Sequence, residues 1–225
     1  MGSEAEENYL KETYALQLDH HQVSTSMLAD RMGHSAPTVT EMVKKLADRK
    51  LVVYEPYRGI TLTKAGRAVA LGVIRRHRLL ETFLTRTLGV PWDRVHVEAE
   101  KLEHAISEYV GGRIDEFLGH PTVDPHGSPI PGSDGSIDEP PRVRLADIAA
   151  GAWVEIVEVD DREPSLLEHL SKLRIGIGTR IRIADIEAVD GLVTVIVDGQ
   201  RQVLGRTAAR RIVVRNTIGE SDDRA

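Results

Sequence analysis

The chain contains no cysteine and few aromatic residues. None of its 225 residues is Cys, and aromatics amount to 4%. Without a thiol the chain cannot build a disulfide scaffold, a thiolate zinc site, an iron–sulfur centre or a cysteine nucleophile. The scarcity of aromatic side chains argues against a base-stacking platform, so RNA is not an expected partner.

Long apolar runs are missing as well. No uninterrupted apolar segment approaches the ~20 residues that cross a bilayer. The acidic start, MGSEAEENYL, has no apolar core of the kind that a signal peptide needs. We therefore expect a cytoplasmic protein with no membrane partner. The hydrophobic content of 41% is typical of a folded globular chain.

The formal charge of −6 conceals blocks of opposite sign. Residues 31–76 carry ten Lys/Arg against three Asp/Glu, whereas residues 77–140 carry five against twelve. The basic block predicts contact with a polyanion, and the acidic block predicts a cation site. The alternative is that each block is simply a solvated face.

The basic block has the pattern of a winged helix-turn-helix. A helix is predicted over residues 5–18. A second begins after the N-cap Ser24 and ends at Gly33, and a third follows the N-cap Ser35. Two short strands around a turn at residues 55–59 complete the motif.

In a winged helix the second helix of the motif enters the major groove of DNA, with its N-terminal residues nearest the base edges. The candidate base contacts are Ser35, Ala36, Pro37, Thr38, Thr40 and Glu41. The candidate phosphate contacts are Lys44, Lys45, Arg49 and Lys50, with Tyr57 and Arg58 on the wing. Double-stranded DNA is the expected partner, and a module that binds other proteins is the alternative.

The rest of the chain divides into a helical and a β-rich part. A long helix is predicted from the N-cap Thr63 to Gly89, then one over residues 92–110 and a shorter one over 113–119. A segment with six Pro separates them from four period-two strands and one helix, typical of a small β-barrel. We predict a mainly α protein with a β domain, divided as a winged helix-turn-helix (1–73), a helical metal-binding and dimerisation domain (74–140) and an SH3-like barrel (141–225).

Histidines and acids recur at helical spacing in the acidic block. His77 and Glu81 lie four residues apart on the long helix. The next helix carries a polar stripe of His96, Glu100, Glu103 and His104. Carboxylates with imidazole are typical ligands of Mn²⁺, Fe²⁺, Co²⁺ or Zn²⁺. The alternative is an ordinary solvated helix face.

Together these segments resemble the diphtheria toxin repressor family, metal-dependent transcriptional regulators of bacteria. The segments that carry the resemblance are ENYLKETY, VSTSMLADRMGHSAPTVTEMVKKL, LVVYEPYRGITLTKAGRAVA, RRHRLLETFL, VHVEAEKLEHAIS and DPHGSPIPG. The C-terminal part resembles the SH3-like (FeoA-like) barrel of the longer members. The resemblance implies a homodimer that, when metal-loaded, binds a palindromic operator and represses metal-uptake genes. It therefore implies a regulator without a small-molecule substrate, and no enzyme.

The family's metal ligands can be transferred by position. The resemblance implies a primary site at Glu100, Glu103, His104 and Asn8, with Glu7 or Glu4 as substitutes for Asn8. It implies an ancillary site at His77, Glu81, His96 and Glu163, with Asp124 and His126 as further candidates. Iron-responsive members have Cys at the position of Glu100. The implied cofactor is therefore Mn²⁺, with Fe²⁺ as the alternative and Co²⁺, Zn²⁺ or Cd²⁺ as substitutes.

A dinuclear metallohydrolase is the enzymatic alternative. The chain lacks an HExxH motif and a second carboxylate cluster dense enough to bridge two ions. Such an enzyme would also leave the basic helix-turn-helix unexplained.

Overall fold

The computed structural model describes residues 2–20, 22–55, 58–187, 189 and 191–217. Its helices are α1 (Glu4–Asp19), α2 (Thr25–Met32), α3 (Ala36–Asp48), α4 (Lys64–Leu88), α5 (Val95–Leu102), α6 (Glu108–Phe117), α7 (Pro164–Lys172) and α8 (Arg206–Ala209). Its strands are β1 (Val52–Glu55), β2 (Gly59–Leu62), β3 (Val143–Arg144), β4 (Trp153–Val159), β5 (Arg180–Ile186), β6 (Val193–Val197), β7 (Gln200–Leu204) and β8 (Ile212–Asn216).

The N-terminal part is the winged helix that the sequence predicts. Ser24 and Ser35 cap α2 and α3, and Gly33 closes α2 in the left-handed conformation with φ 65°. Strands β1 and β2 pair antiparallel to form the wing. Helices α1 to α4 enclose one apolar core around residues such as Leu10 and Val43, both fully buried.

Helix α4 is fixed at both ends. Thr63 accepts a hydrogen bond from the backbone of Gly66, and Gly89 ends the helix with φ 68°. A Cβ on Gly66 would lie 1.9 Å from the carbonyl oxygen of Leu51, so only glycine allows the helix to start against the wing. The 25-residue helix then runs from the winged helix into the acidic block.

The helix predicted over residues 92–110 is wrong in its extent. Helix α5 ends at Leu102, and α6 begins at Glu108 after the N-cap Ser107, whose hydroxyl accepts from the backbone of Val110. Because Ser107 offers a cap in the middle of the apolar pattern, the chain turns there instead of continuing. The predicted stripe is therefore broken, and His104 lies in the turn after α5.

The C-terminal part forms a six-stranded antiparallel sheet in the order β3-β8-β4-β5-β6-β7, which confirms the predicted β domain. Its inward side chains build a second apolar core with α7. Strand β7, QRQVL, was not among the predicted strands because it is mostly polar and lies at an edge of the sheet. No helix within the described part of the chain is long and apolar enough to cross a membrane.

The Pro-rich segment packs against both parts. Ile137 contacts the N-terminal core, and Tyr14 on α1 donates a hydrogen bond to Glu139. Arg144 on β3 pairs with Asp19 at the end of α1, at 2.9 Å. These contacts bring the sheet alongside α1 and α4.

Candidate metal centre and nucleic-acid interface

Six buried or half-buried acidic and imidazole side chains converge between α4, α5, the loop at residues 124–128 and the turn after β4. We call them the inner cluster: His77, Glu81, His96, Asp124, His126 and Asp161. They form two overlapping sets of four that share Glu81 and Asp161, and within each set the ligand atoms lie within 4.8 Å of one another.

Short contacts hold the first set together. His77 Nε2 lies 3.1 Å from Glu81 Oε1, and His96 Nδ1 lies 3.2 Å from Asp161 Oδ2. His77 and Glu81 face the same side because they are one turn apart on α4. The sheet domain thereby contributes one acidic side chain to a site built on helices.

Three buried atoms of the second set have no hydrogen-bond partner in the part of the chain that the structure describes: Glu81 Oε2, Asp124 Oδ2 and His126 Nδ1. Leaving such atoms buried and unsatisfied costs about 1–3 kcal/mol each. A divalent cation would satisfy all three, and carboxylate oxygens with imidazole nitrogens suit Mn²⁺, Fe²⁺, Zn²⁺ and Co²⁺. The residues present therefore fit a metal ion.

The charges of the inner cluster are strongly coupled. Burial alone would lower the pKa of His96, but the carboxylates of Asp161 and Glu81 raise it to about 11. The pKa values of His77 and His126 are raised to about 9, against the effect of burial, by neighbouring carboxylates that include Glu81. The imidazoles thus hold protons that an arriving metal must displace.

Asp124 is the exception among the acids. Burial, together with the charge of Glu81, raises its pKa to about 7. Its Oδ1 accepts hydrogen bonds from the backbones of His126 and Ser128, at 2.8 and 2.9 Å, which shapes the loop. The other oxygen, Oδ2, lies 3.5 Å from Arg78 Nε.

The loop that carries Asp124 and His126 is pressed against β4. The backbone of Val159 donates to the carbonyl of His126 at 3.0 Å. Gly127 has φ 85°, and a Cβ there would lie 1.9 Å from the carbonyl oxygen of Val157. Only glycine permits this approach, so the sheet holds the loop in place.

The predicted barrel ligand Glu163 lies outside the inner cluster. Its side chain is 49% exposed and pairs with Arg211. Asp161 takes the place next to His96 because the chain turns directly after β4, before α7 begins at Pro164. The sequence signal for this ligand is the pair of adjacent acids, Asp160 and Asp161, at the end of a strand.

The predicted primary ligands form a second group, which we call the α1–α5 group: Asn8, Glu100, Glu103 and His104. His104 Nε2 lies 2.8 Å from Asn8 Oδ1, and His104 Nδ1 lies 2.8 Å from Glu7 Oε2. Of the substitutes considered for Asn8, Glu7 therefore contacts His104, whereas Glu4 is exposed in the first turn of α1.

The α1–α5 group is not among the clusters of the described residues whose ligand atoms converge within 4.8 Å. Glu103 is fully buried, with one oxygen 2.7 Å from Lys11 Nζ and the other 2.5 Å from His77 Nδ1. Glu100 is half exposed, and its Oε1 lies 3.6 Å from both Lys11 Nζ and His96 Nε2. Glu103 thus links this group to the inner cluster.

The predicted base contacts line the exposed side of α3. Ser35, Ala36, Pro37, Thr38 and Glu41 are exposed, and Thr40 is half-buried. Lys44, Lys45, Arg49, Lys50 and Arg58 are exposed as well. Tyr57 lies outside the described residues. The described basic residues and most of the small side chains are therefore accessible to a partner.

Two of these basic residues also form ion pairs with an acidic side chain of α1. Glu6, on the first turn of α1, is 3% exposed and pairs with Arg49 and with Lys45, the latter at 3.2 Å. Arg49 is the main reason that the pKa of Glu6 falls to about 2. Sequence spacing gave no sign of this pairing, which ties α1 to α3.

Three family models match the chain. Residues 1–60 match the iron dependent repressor N-terminal DNA binding domain, and residues 63–132 match the iron dependent repressor metal binding and dimerisation domain. Residues 143–216 match the FeoA domain.

Curated relatives cover nearly the whole chain. The iron-dependent repressor IdeR of Mycobacterium tuberculosis is 31% identical over 207 residues, which is 88% of this chain and 90% of the relative. The diphtheria toxin repressor of Corynebacterium diphtheriae is 32% identical over 204 residues, or 86% and 89% of the two chains.

Solved structures agree with this relationship. A manganese-dependent transcriptional repressor in complex with manganese superposes with a TM-score of 0.89 at 41% identity, covering 94% of this chain and all of the other. The repressor ScaR with bound Zn²⁺ gives 0.84 at 32% identity, covering 94% and 99%. The domain matches, the relatives and the metal-capable cluster lead to one conclusion: the chain belongs to the diphtheria toxin repressor family of divalent-metal-dependent, DNA-binding transcriptional repressors, which are not enzymes.

Proposed function

We propose that the protein is a manganese-responsive repressor, which binds a palindromic operator as a metal-loaded homodimer and represses metal-uptake genes. The choice of Mn²⁺ rests on the chemical type of the candidate ligand atoms. Every candidate ligand offers oxygen or nitrogen, and the chain has no cysteine. Mn²⁺ is better suited by such hard donors than by a thiolate ligand.

The comparisons support manganese and leave one alternative. The structure at 41% identity is that of a manganese-dependent repressor, whereas the curated mycobacterial relative at 31% identity is called iron-dependent. Fe²⁺ is therefore the second candidate, because it accepts the same ligand types.

In this proposal two metal sites act together. The inner cluster supplies His77, Glu81, His96, Asp124, His126 and Asp161, which join α4, α5, the 124–128 loop and the sheet domain. The α1–α5 group supplies Glu100, Glu103, His104 and Asn8, with Glu7 beside them. A bound cation neutralises these acids and joins α1 to the turn after α5.

The first turns of α1 connect this second site to the DNA-facing surface. Glu7 and Asn8 contact His104, while the adjacent Glu6 holds Lys45 and Arg49 of α3. Metal binding that fixes the start of α1 thereby fixes α3 as well. The metal-free protein would have to order this region when it binds DNA, so its operator affinity is lower.

The helical region offers a surface for a second copy of the chain. Large apolar side chains remain exposed on α4, α5 and α6: Leu88, Leu102, Tyr109, Val110 and Phe117. Tyr109 is 78% exposed and Phe117 69% exposed. Exposed apolar side chains on these helices suit a two-fold interface, which would place two recognition helices on a palindromic site.

The test is an anaerobic fluorescence-anisotropy titration of duplex DNA with the full chain. The operator is selected beforehand from a random duplex library, using the protein with Mn²⁺ and, separately, with Fe²⁺. We expect Mn²⁺ to raise the affinity at least tenfold over the chelator-treated protein, within the usual range of such coupling. Equal affinity with and without metal would refute the proposal, and a response to Fe²⁺ at lower free concentration would favour the iron alternative.

A further inference from the structure

Lys11 places an ammonium group between two of the residues proposed to bind metal. Its Nζ lies 2.7 Å from Glu103 Oε1 and 3.6 Å from Glu100 Oε1. The side chain is only 12% exposed, and Glu103 is 1% exposed. Lys11 follows Asn8 by one helical turn, so both lie on the face of α1 that meets α5.

The same oxygen of Glu103 also contacts the histidine of this group. His104 Nε2 lies 3.2 Å from Glu103 Oε1 and 2.8 Å from Asn8 Oδ1. The ammonium of Lys11 therefore lies within the α1–α5 group itself and not at its edge. It supplies positive charge to the two carboxylates that a metal ion would also need.

We propose that Lys11 is a tethered cation that competes with the divalent ion for Glu100 and Glu103, and so sets the metal concentration at which the repressor responds. This inference rests on the proposed function, since it concerns the sensitivity of the same site. In the metal-free protein Lys11 compensates the buried charge of Glu103. When a metal binds, the ammonium must leave the carboxylates or remain beside a second positive charge.

Both courses weaken metal binding. Moving the ammonium away breaks a short, largely buried ion pair, and leaving it in place sets it against a dication at close range. Replacing Lys11 by a neutral side chain removes this competition. The metal-free protein should then be less stable, because Glu103 loses a partner, and the metal should bind more tightly.

The experiment compares the wild type with Lys11→Met, which keeps an unbranched side chain one atom shorter and removes the charge. Isothermal titration of the chelator-treated full chain with MnCl₂ gives the dissociation constants, and the binding step that His104→Ala removes identifies the α1–α5 group. Thermal unfolding without metal gives the second readout. Lys101→Met is the matched control, because Lys101 pairs with Glu98 at 2.9 Å on the exposed side of α5.

We expect Lys11→Met to lower the Kd of that step at least about tenfold. It should also lower the unfolding temperature of the metal-free protein. Lys101→Met should change neither quantity, and Lys11→Arg should keep the weaker affinity because it keeps the charge. Lys11→Gln, which is neutral but can still donate to Glu103, provides the same comparison if Lys11→Met does not fold.

The two hypotheses fail in different ways. If the wild type has a manganese step that His104→Ala removes, and the neutral variants leave its Kd unchanged or weaken it, the role of Lys11 is overturned and the proposed function stands. If neither the wild type nor the neutral variants show a manganese-binding step that His104→Ala removes, both the role of Lys11 and the proposed function are overturned.

Discussion

The inner cluster and the α1–α5 group contain similar ligand types but differ in how their buried ligand atoms are paired. Within the described residues, three ligand atoms of the inner cluster, on Glu81, Asp124 and His126, are buried without a hydrogen-bond partner. In the α1–α5 group the corresponding atoms are already bonded to Lys11, Glu7 or one another. The first arrangement resembles a preformed site, and the second must exchange its contacts before it can bind.

Under the proposed function, this difference predicts different roles for the two regions. A site whose ligand atoms already converge needs little rearrangement beyond the loss of the imidazole protons, and it suits a structural ion that joins the sheet domain to the helices. A site that must be rearranged couples binding to a change of conformation, which regulation requires. The α1–α5 group is also the one in contact with the first turns of α1.

The largest effect is expected from Glu103→Ala, because Glu103 belongs to the α1–α5 group and also contacts His77 of the inner cluster. It is fully buried and contacts Lys11 and His77, so its removal takes the nearest carboxylate from two charged groups. We expect the metal-free protein to lose about 3–5 kcal/mol of unfolding free energy. Urea denaturation measures this loss, and Glu98→Ala, in an exposed pair on α5, is the control. A loss below 1 kcal/mol would show that the regions are not joined through Glu103.

His104→Ala should impair the α1–α5 group and leave the inner cluster intact. His104 contacts Asn8, Glu7 and Glu103 and none of the inner cluster. We expect the metal-dependent gain in DNA affinity to fall about tenfold or more, while Mn²⁺ binding by the inner cluster persists. Anisotropy and isothermal titration measure the two quantities. Loss of both would mean that the sites fill as one unit.

Asp161→Asn should affect the inner cluster alone. Asp161 belongs to both overlapping sets, and its carboxylate contacts His96. Loss of one charged ligand should weaken the corresponding Mn²⁺ step about tenfold to a hundredfold. Glu163→Gln is the matched control from the same turn, because Glu163 pairs with Arg211 instead. Equal weakening in both variants would contradict the assignment of Asp161 over Glu163.

Raising the pH should lower the stability of the metal-free protein, because the histidines of the inner cluster and Asp124 lose protons. The pKa values of His77 and His126 are raised to about 9, and that of His96 to about 11. A histidine whose pKa is raised by folding stabilises the folded state. The full stabilisation is present below the pKa of the unfolded state, about 6.5, and it is lost as the pH rises through the pKa of the folded state. Asp124, raised to about 7, acts in the same direction between its unfolded value near pH 4 and pH 7.

The pH prediction is checked by thermal unfolding between pH 6 and pH 10 in the presence of a chelator. We expect the unfolding temperature to fall steadily over this interval and to fall less in His126→Gln. Titration of Mn²⁺ in buffers of different ionisation enthalpy should show proton release near pH 7. An unfolding temperature that rises toward pH 9 would contradict the charge coupling described for the cluster.

The smallest effect concerns the link between the α1–α5 group and α3. Glu6→Gln should free Lys45 and Arg49, whose side chains are 60% and 42% exposed. Because the pairs are partly solvated, we expect only about a threefold gain in the DNA affinity of the metal-free protein at low salt. Anisotropy measures the gain, with Glu98→Gln as control. Weaker binding instead would mean that Glu6 chiefly positions α3.

Local rules of the sequence were enough to predict most of the fold. Side-chain caps at Ser24, Ser35 and Thr63 and the glycines at 33 and 89 mark helix ends that the structure confirms. The apolar periodicity placed both cores. The same rules missed the turn at residues 103–107, since an apolar pattern continues through it.

The candidate sites were only partly predictable because they depend on contacts distant in sequence. His77 and Glu81 are neighbours by helical spacing, so their pairing could be foreseen. Asp161 reaches His96 only through the packing of the sheet domain on α5, and Lys11 reaches Glu103 across 92 residues. The periodicity of the sequence does not encode contacts between residues so far apart.

The contact of Gly127 with β4 also bears on how the chain can be shortened. The loop with Asp124 and His126 rests on the backbone of Val157, and Asp161 follows directly after the same strand. Deleting the C-terminal domain would therefore remove one ligand and the support of two others, although the winged helix would keep its own core. If the proposed function holds, the truncated chain would keep only the α1–α5 group as a metal site, and Gly127→Ala, which adds a single methyl group, should reproduce part of that loss.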